Sequence, residues 1–521
     1  MVHKALLLTL VVLASLRLLW LDSLLQEPEH DSWIYTIEAR KVGEQGVGAY
    51  LGGTVRRAPL FPLIAGLPVK AGMSPFSSAK LTANAFYLGA LLGTYALARL
   101  LFGMEAGLFA AALFALDSVM VNFGVKPFID IGMACLMTWS LVAMVSLARH
   151  PRPRAGLLLG LCLLAATFMR PEGIVFSAAV LLAALAGALR SGSLSRPAPW
   201  IAVGAYLAGV ALATALSAGG WGQKGLGGRL LLESTVAYRL SPDSPEAGHW
   251  PAVDVVAREH PDGNYPSMAR ILLEDPLLQL RRLTRNAGLY FRGVANHLHF
   301  LLAGVLLAGL VYGLVKNPRL APAALVVAAF LMLFAAPFIF LSAVDDRLAL
   351  ASYPQVYVLA SLGILGLGGA RRASLALAAL VLMFAGLRHV RYLQSSWQEK
   401  YTREGYPPVL SAWTAVAPEI QGRERVVMFG PVWNLYLPRQ ARARELWRSE
   451  SLPELQRVVE ADRPRFLLLG GGYHESEEVH DFFRRSPSPG QLGPAHLVQV
   501  YPRQPGPVDV RVFRLSYRGN A

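Results

Sequence analysis

Residues 5–21 read "ALLLTLVVLASLRLLWL", with Arg17 as the single charge. A helix rises 1.5 Å per residue, so a run of this kind crosses a hydrocarbon core of roughly 30 Å. Comparable runs recur along the chain, at 4–25, 78–101, 105–120, 129–148, 155–169, 172–190, 199–218, 298–315, 320–342, 348–369 and 373–391, about eleven spans by the apolar-run criterion. Backbone in lipid must satisfy its own hydrogen bonds, which leaves helices as the form for such runs. The chain, 54% hydrophobic and only 16% charged, is therefore expected to be a polytopic α-helical membrane protein. The first run follows Lys4, lacks a small-x-small cleavage site and is followed by further spans, so it reads as an uncleaved first span.

Charge sets the topology. With the N-terminus inside, the inner loops hold Arg99, Arg149, Arg152, Arg154, Arg190, Arg196, Lys316, Arg319, Arg371 and Arg372, with Glu105 the only acid. The opposite side holds Glu27, Glu29, Asp31, Asp130, Glu172, Asp345 and Asp346. This is a positive-inside pattern, and it accounts for most of the net charge of +15 without nucleic acid. The outer stretches are 26–77, 219–297 and 392–521. In the first, Trp33, Ile34, Ile37 and Val42 suggest an amphipathic interfacial helix. The end of the second, with Arg281, Arg282, Arg285 and Arg292 among leucines, has the same character.

The third outer stretch reads as a soluble domain. "RVVMFG", "RFLLLGGG", "HLVQVY" and "VRVFRLSY" have the composition of strands, and "LPELQRVVEAD" and "SEEVHDFFRR" that of helices, an order that argues for a small α/β domain. The expected division is a membrane catalytic domain, 1–391, and an extracytoplasmic α/β domain, 392–521. The triple glycine at 470–472 lacks nucleotide-loop spacing and reads as a turn. Cys135 and Cys162 lie in apolar runs, which implies packing residues and no disulfide framework.

Carboxylates at the edges of apolar segments cost several kcal/mol unless paired or lining a cavity, so Asp31, Asp130 in "KPFIDIGMA" and Glu172 in "FMRPEGIVF" are functional candidates. Pairing for structure, Lys126 with Asp130 or Arg170 with Glu172, is the alternative. All three acids fall on the outer face, which points to a polar cavity there.

The succession of an acidic loop after span one, "RRAPLFPLIAGLPVKAGM", "FGMEAGLFAAALFALDS", "FIDIGMACLMTW", "ATFMRPEGIVF" and "DDRLALASYPQVYVLAS" resembles the GT-C membrane glycosyltransferases. It is most similar to the dolichyl-phosphate-mannose protein mannosyltransferase family and its bacterial relatives, among them the lipid A aminoarabinose transferases. The resemblance covers roughly residues 1–370 and implies a GT-C type fold with a small extracytoplasmic C-terminal domain. It also implies transfer of a sugar from a polyprenyl-phosphate donor to a lipid, glycan or protein acceptor, with inversion, at a bacterial inner membrane. Asp31 would then be the general base. Many relatives carry Asp-Glu where this chain has Asp31-Ser32, so that either Glu29 supplies the second carboxylate or none is needed. Asp130, Glu172, Arg347 and Tyr353 match polar positions of the family, and Tyr35 joins the substrate-binding set.

The chemistry asks for the same residue types. A departing phosphate gains negative charge, and a preorganised cation stabilises it, one such donor contributing about 3 kcal/mol. Arg57, Arg170, Arg347 and the 281–285 arginines are the candidates, with Arg17 a weaker one. A carboxylate accepting the acceptor's proton contributes roughly 10²–10⁴-fold. No cofactor is required, although Glu27-x-Glu29-x-Asp31 offers hard oxygen ligands that would suit Mg or Mn. A transporter or flippase of lipid-linked glycans is the competing function, since intramembrane charges also mark substrate paths.

Overall fold

A computed structural model describes residues 2–24, 32–52, 58–170, 173–216, 273, 276–298, 304, 307, 310–311, 314–316, 318–341, 350–367, 371–402, 412–414, 416–420, 425–429, 442–446, 452–470, 479, 482–483, 491–501 and 510–517. The chain divides into two compact units. One comprises Met1–Leu25 and Glu38–Trp397, the other Gln26–Ile37 and Gln398–Ala521.

The first unit is helical. Its elements are α1 (Val2–Leu24), the larger part of α2 (Ser32–Gln45), α3 (Val47–Gly52), α4 (Leu60–Lys70), α5 (Pro75–Phe102), α6 (Met104–Leu116), α7 (Ser118–Val125), α8 (Ile129–Arg149), α9 (Pro153–Met169), α10 (Gly173–Arg190), α11 (Pro197–Leu216), α12 (Pro276–Leu298), α13 (Ala321–Leu341), α14 (Tyr353–Leu367) and α15 (Arg371–Thr402). Among the described residues five helices are long and apolar enough to cross a membrane, six if α6 and α7 count as one broken span. Leu6, Leu8, Leu13, Leu16 and Leu19 on α1 remain exposed, as expected of a surface facing lipid instead of water. The chain is an integral membrane protein. Each expected span coincides with a helix except 105–120, which is divided between α6 and α7, and 298–315, most of which lies outside the described residues.

Local sequence explains the boundaries. Ser74 caps α5 by accepting the Ser77 N–H at 3.2 Å, Pro75 occupies the first turn, and Gly103 stops the helix at φ 100. The third expected span does not continue straight from 105 to 120. It breaks by 66° at Asp117, whose backbone is extended and whose carboxylate accepts the Met120 N–H at 2.8 Å. An aspartate is a strong N-cap, so this residue ends α6 and starts α7 in a different direction.

The core of the bundle is α5, with α4, α6 and α8 against it, and α14 packed on α5, α6 and α8. Small residues bring α9 and α11 close together, since a Cβ at Gly156 or Gly160 would meet the backbone carbonyl of Ala198 or Ala202. Likewise α2 and α4 cross where Gly43 faces Val69 and Gly66 faces Val42.

The expected interfacial helix at 32–45 is a buried one. Trp33, Tyr35, Ala39 and Val42 are all below one-tenth exposed, and so are the polar Ser32, Thr36 and Glu38. A helix lying on a membrane would keep its polar residues in water, whereas here Ser32, Thr36 and Glu38 are buried and exposure begins only near the end of the helix, at Lys41, Glu44 and Gln45. By contrast α12 is amphipathic, with Arg281, Arg285 and Arg292 exposed and Tyr290 buried.

The second unit holds a six-stranded mixed sheet of β1 (Arg425–Phe429), β2 (Arg442–Leu446), β3 (Phe466–Gly470), β4 (Gln491–Leu492), β5 (Ala495–Tyr501) and β6 (Val510–Tyr517), in the order β2-β1-β3-β6-β5-β4. Strand β1 is parallel to β2 and β3, and β6 and β5 continue antiparallel. The helix α16 (Leu452–Asp462) links β2 to β3, as a parallel crossover requires. Residues alternate between two cores. Val427, Leu467, Leu469, Phe513 and Leu515 face α16, while Val426, Met428, Phe466, Leu468, Val510 and Val512 face Ala412, Val416, Ile420 and Trp33. Being covered on both sides explains why "RVVMFG" and "FLLLG" are continuously apolar instead of alternating. The short strands β2 and β4 carry no such run and are not foreseeable from the sequence.

Candidate functional site

Polar groups of the helical unit gather at one end of the bundle. That end carries the C-terminal ends of α1 and α9 and the N-terminal ends of α5, α8 and α14. Arg99, Arg149 and Arg190 lie at the opposite ends of their helices, on the side the charge pattern assigns to the cytoplasm.

Asp130 is in the first turn of α8 and Arg170 follows the last residue of α9, and their side chains form an ion pair. The carboxylate side chain is 4% exposed and the guanidinium 11%. Each charge also meets the favourable end of its own helix dipole, an anion at an N-terminus and a cation at a C-terminus. Burial would be prohibitive for either alone, and the pairing is what makes it tolerable.

At the ends of α1 and α5 a second cluster forms. Asn84 donates through Nδ2 to Asp22 Oδ2 at 2.7 Å, and Lys80 Nζ donates to the Asp22 carbonyl at 2.8 Å. Near α14, the Tyr290 and Ser352 hydroxyls lie 2.8 Å apart, joining α12 to the turn that leads into that helix. Tyr353 is fully buried, with its ring edge-on to Tyr357 at 6.3 Å. The Tyr357 ring in turn stands edge-on to Phe114, near the end of α6, at 6.2 Å.

Arg17 completes this belt from within the first span. Its guanidinium donates to the Ala115 carbonyl and to the Tyr87 hydroxyl, the latter at 2.6 Å, and lies 3.3 Å from His389 Nε2. The break at Asp117 frees carbonyls at the end of α6, and the guanidinium takes one of them. Arg17 is thereby a cross-link between α1, α5, α6 and α15.

In the first outer stretch Glu38 is 1% exposed and accepts a hydrogen bond from the Tyr50 hydroxyl, with Lys41 at 3.9 Å. Burial, reinforced by the Glu38 carboxylate, raises the Tyr50 pKa and keeps the phenol protonated as a donor.

A family model described as dolichyl-phosphate-mannose-protein mannosyltransferase matches residues 56–215. The whole chain superposes on ArnT from Cupriavidus metallidurans, solved bound to undecaprenyl phosphate, with 97% of each chain covered, a TM-score of 0.57 and 12% identity. Its apo state gives 0.59 at 11% identity, again over 97% of each chain. The chain has a GT-C fold. The oligosaccharyltransferase of Archaeoglobus fulgidus in its apo form shares it more distantly, at a TM-score of 0.52 and 13% identity over 89% of this chain and 69% of that one. No curated protein matches the chain in sequence.

Of the residues singled out from the sequence, the GT-C fold brings Asp130 and Arg170 into direct contact. Tyr353 is at the same end of the bundle, and Tyr35 is buried on α2. Glu29, Asp31, Arg57, Glu172 and Arg347 lie outside the described residues. The sequence reading overlooked Asp22, Lys80, Asn84, Tyr87, Asp117 and His389. Their shared signal is a polar residue inside an apolar run, the criterion that had already marked Asp130. Glu38 gave no such signal, because it sits among polar neighbours and only the fold buries it.

Proposed function

We propose that the chain is a glycosyltransferase that moves a sugar from a polyprenyl-phosphate donor to a hydroxyl acceptor on the extracytoplasmic side of a bacterial inner membrane. The observation that carries this reading is the GT-C fold matched over 97% of the chain to a protein that has been solved holding undecaprenyl phosphate. The polar belt at the end of the bundle away from the arginine-rich loops supports it, because a lipid-linked donor and a polar acceptor must meet at such a boundary.

In this reading the acceptor oxygen attacks the anomeric carbon from the face opposite the phosphate. The carbon–oxygen bond to phosphate breaks, the configuration inverts, and polyprenyl phosphate leaves as a monoester. Asp31 takes the acceptor's proton, with Glu29 beside it in sequence as a helper. Arg57 and Arg347 stabilise the charge that develops on the leaving phosphate. Arg170 has its charge largely compensated by Asp130, which suits it to holding the ends of α8 and α9 together more than to receiving a phosphate. Tyr35, Glu172 and Tyr353 contribute to substrate binding, and the C-terminal domain lies on the same side as Asp31.

The test is transfer of labelled sugar from a polyprenyl-phosphate donor by membranes carrying the protein, comparing wild type with Asp31→Asn and Arg347→Gln. Loss of transfer in both, with the proteins folded, is expected. Full activity of Asp31→Asn would remove the base assignment. Translocation of lipid-linked sugar across a vesicle membrane with no release of polyprenyl phosphate would replace the enzyme by a flippase.

A further inference from the structure

The end of the C-terminal sheet at which β1, β2 and β3 begin is crowded with arginines. These strands run parallel, so their starts share an edge. Arg425 opens β1 and its register partner Arg442 opens β2. Arg465 stands directly before β3, and its N–H donates to the Arg425 carbonyl at 2.8 Å. Neighbouring strands lie about 4.8 Å apart, so these three positions follow one another over about 10 Å. Like charges set side by side across strands are destabilising, and strand formation asks for no arginine there. Arg425, Arg444, Arg463 and Arg465 are all exposed.

Part of this charge has a structural use. Helix α16 ends at Asp462, where Arg425 donates to the Asp462 carbonyl at 2.8 Å and Arg444 pairs with its carboxylate at 2.9 Å. Cations are favourable at that end of a helix. Arg463, the next residue, is different. It pairs with no acid among the described residues, and its guanidinium lies over the Tyr517 ring at 6.0 Å. Its backbone is at φ 42, and among the described residues it alone, glycines aside, has a positive φ. The residue that follows a helix often takes this left-handed form, but as glycine or asparagine, because a Cβ is strained there. The backbone at 463 therefore favours glycine, and the sequence places a cation there instead. A guanidinium stacked on a ring keeps the N–H groups at its edge for a carboxylate or phosphate.

We infer that this end of the sheet is a binding site for a linear anionic glycan, with Arg425 and Arg463 as its principal contacts. An anion bridging the arginines would offset their mutual repulsion and give Arg463 the partner that the fold does not supply. A face built to lie on lipid would add apolar side chains to its cations. Among the described residues of this unit Val498 is the one large apolar side chain left exposed, and it lies on β5, two strands away from β3. A chain in solution thus fits better than a membrane surface. The proposed function puts this domain outside the membrane, where anionic glycans are met. The inference takes only that location from it, and binding is measured without any transfer reaction.

Full-length protein in nanodiscs of neutral phosphatidylcholine would be titrated with polygalacturonate, a linear glycan with a carboxylate on every residue. Linear polyphosphate and uncharged dextran would be run beside it, and thermal melting followed on the same preparations. Either polyanion should bind, the tighter of the two naming the anionic group, and dextran should not. Arg463→Gly should melt at or above the wild-type temperature, since glycine suits the left-handed position. It should nevertheless bind the polyanion about tenfold more weakly, the loss of one charge-assisted contact, and Arg425→Gln should show a similar loss. The slope of log K against log salt should fall by about one for each arginine removed. Arg154→Gln, an exposed arginine in the first turn of α9, should bind like wild type. Binding of neither polyanion, or wild-type affinity in Arg463→Gly, would overturn the site. Equal weakening in Arg154→Gln would reduce it to long-range attraction by net charge, and a clearly lowered melting temperature in Arg463→Gly would make that arginine a structural residue. Absence of polyanion binding, with hydrogen exchange of β1 and β3 slowed when the nanodiscs carry phosphatidylglycerol, would assign the arginines to the membrane surface. Loss of the transfer activity from the proposed function would leave each of these results standing.

Discussion

The Asp130–Arg170 pair permits a sharp energetic test. Replacing Arg170 with Gln removes the guanidinium that is ion-paired with a carboxylate only 4% exposed. Two estimates bound the effect. Two unit charges about 4 Å apart interact by about 4 kcal/mol at an effective dielectric constant of 20. Measurements on buried pairs put the removal of one partner at about 3–5 kcal/mol. The helix ends add about 0.3–1 kcal/mol for each charge that they lose. We therefore expect Arg170→Gln and Asp130→Asn each to destabilise the bundle by about 3–5 kcal/mol. The double variant presents two neutral amides that can bond to each other, and it should recover about 1–3 kcal/mol relative to additivity. Purified protein in detergent would be followed by thermal unfolding, with donor-dependent sugar transfer measured on the same preparations. The double variant should melt above both single variants and retain more transfer than either. Single variants that melt like the wild type would refute the reasoning, as would a double variant with strictly additive losses. In the second case the two residues act separately, and Arg170 returns to the set of phosphate ligands.

Four further outcomes follow from individual residues. Asp117→Ala should lower the unfolding temperature through loss of a cap that contributes about 1 kcal/mol, whereas Asp117→Asn, which caps about as well, should lie close to wild type. Gly156→Leu should destabilise by driving α9 from α11 at the Ala198 carbonyl, while Gly204→Leu, on α11 with open space around it, should be neutral in the same melting assay. Burial pushes the Tyr517 phenol, which donates to the Pro464 carbonyl at 3.0 Å, from 10.0 up to about 12. A raised folded pKa gives stability that is present below pH 10 and lost as the pH rises towards 12. Hydrogen exchange of β6 should therefore accelerate across that interval in wild type and less so in Tyr517→Phe. Transfer should be unaffected by EDTA, and loss of activity restored by Mg or Mn would instead assign the Glu27-x-Glu29-x-Asp31 element to a metal.

The membrane architecture was legible because hydrophobic run length acts locally: a helix in lipid must be apolar wherever in the chain it falls. Strands β1, β3, β5 and β6 were legible for a related reason, since each carries an apolar run bounded by breaks. Strand β2, "RAREL", has no such run and is a strand through its pairing with β1. The broken span shows where a local signal was present but misread. "FALDS" contains an N-cap at Asp117, and its apolar surroundings masked the fact that a strong cap ends a helix even inside a membrane segment.

By itself, the sequence determined that this chain is a helical membrane protein, that basic residues gather at one end of its apolar helices, and that a small sheet domain lies in its C-terminal part. Those properties depend on composition and on neighbours within one helical turn or one strand. Only the tertiary structure decided that Asp130 pairs with Arg170, that Arg17 takes the carbonyl freed by the break at Asp117, and that Trp33 completes a core whose other members lie nearly 380 or more residues further along the chain. The same aromatic on an amphipathic-looking segment would suit a membrane surface or a protein core equally well. Which of the two it meets depends on a partner surface that forms only when distant segments fold together.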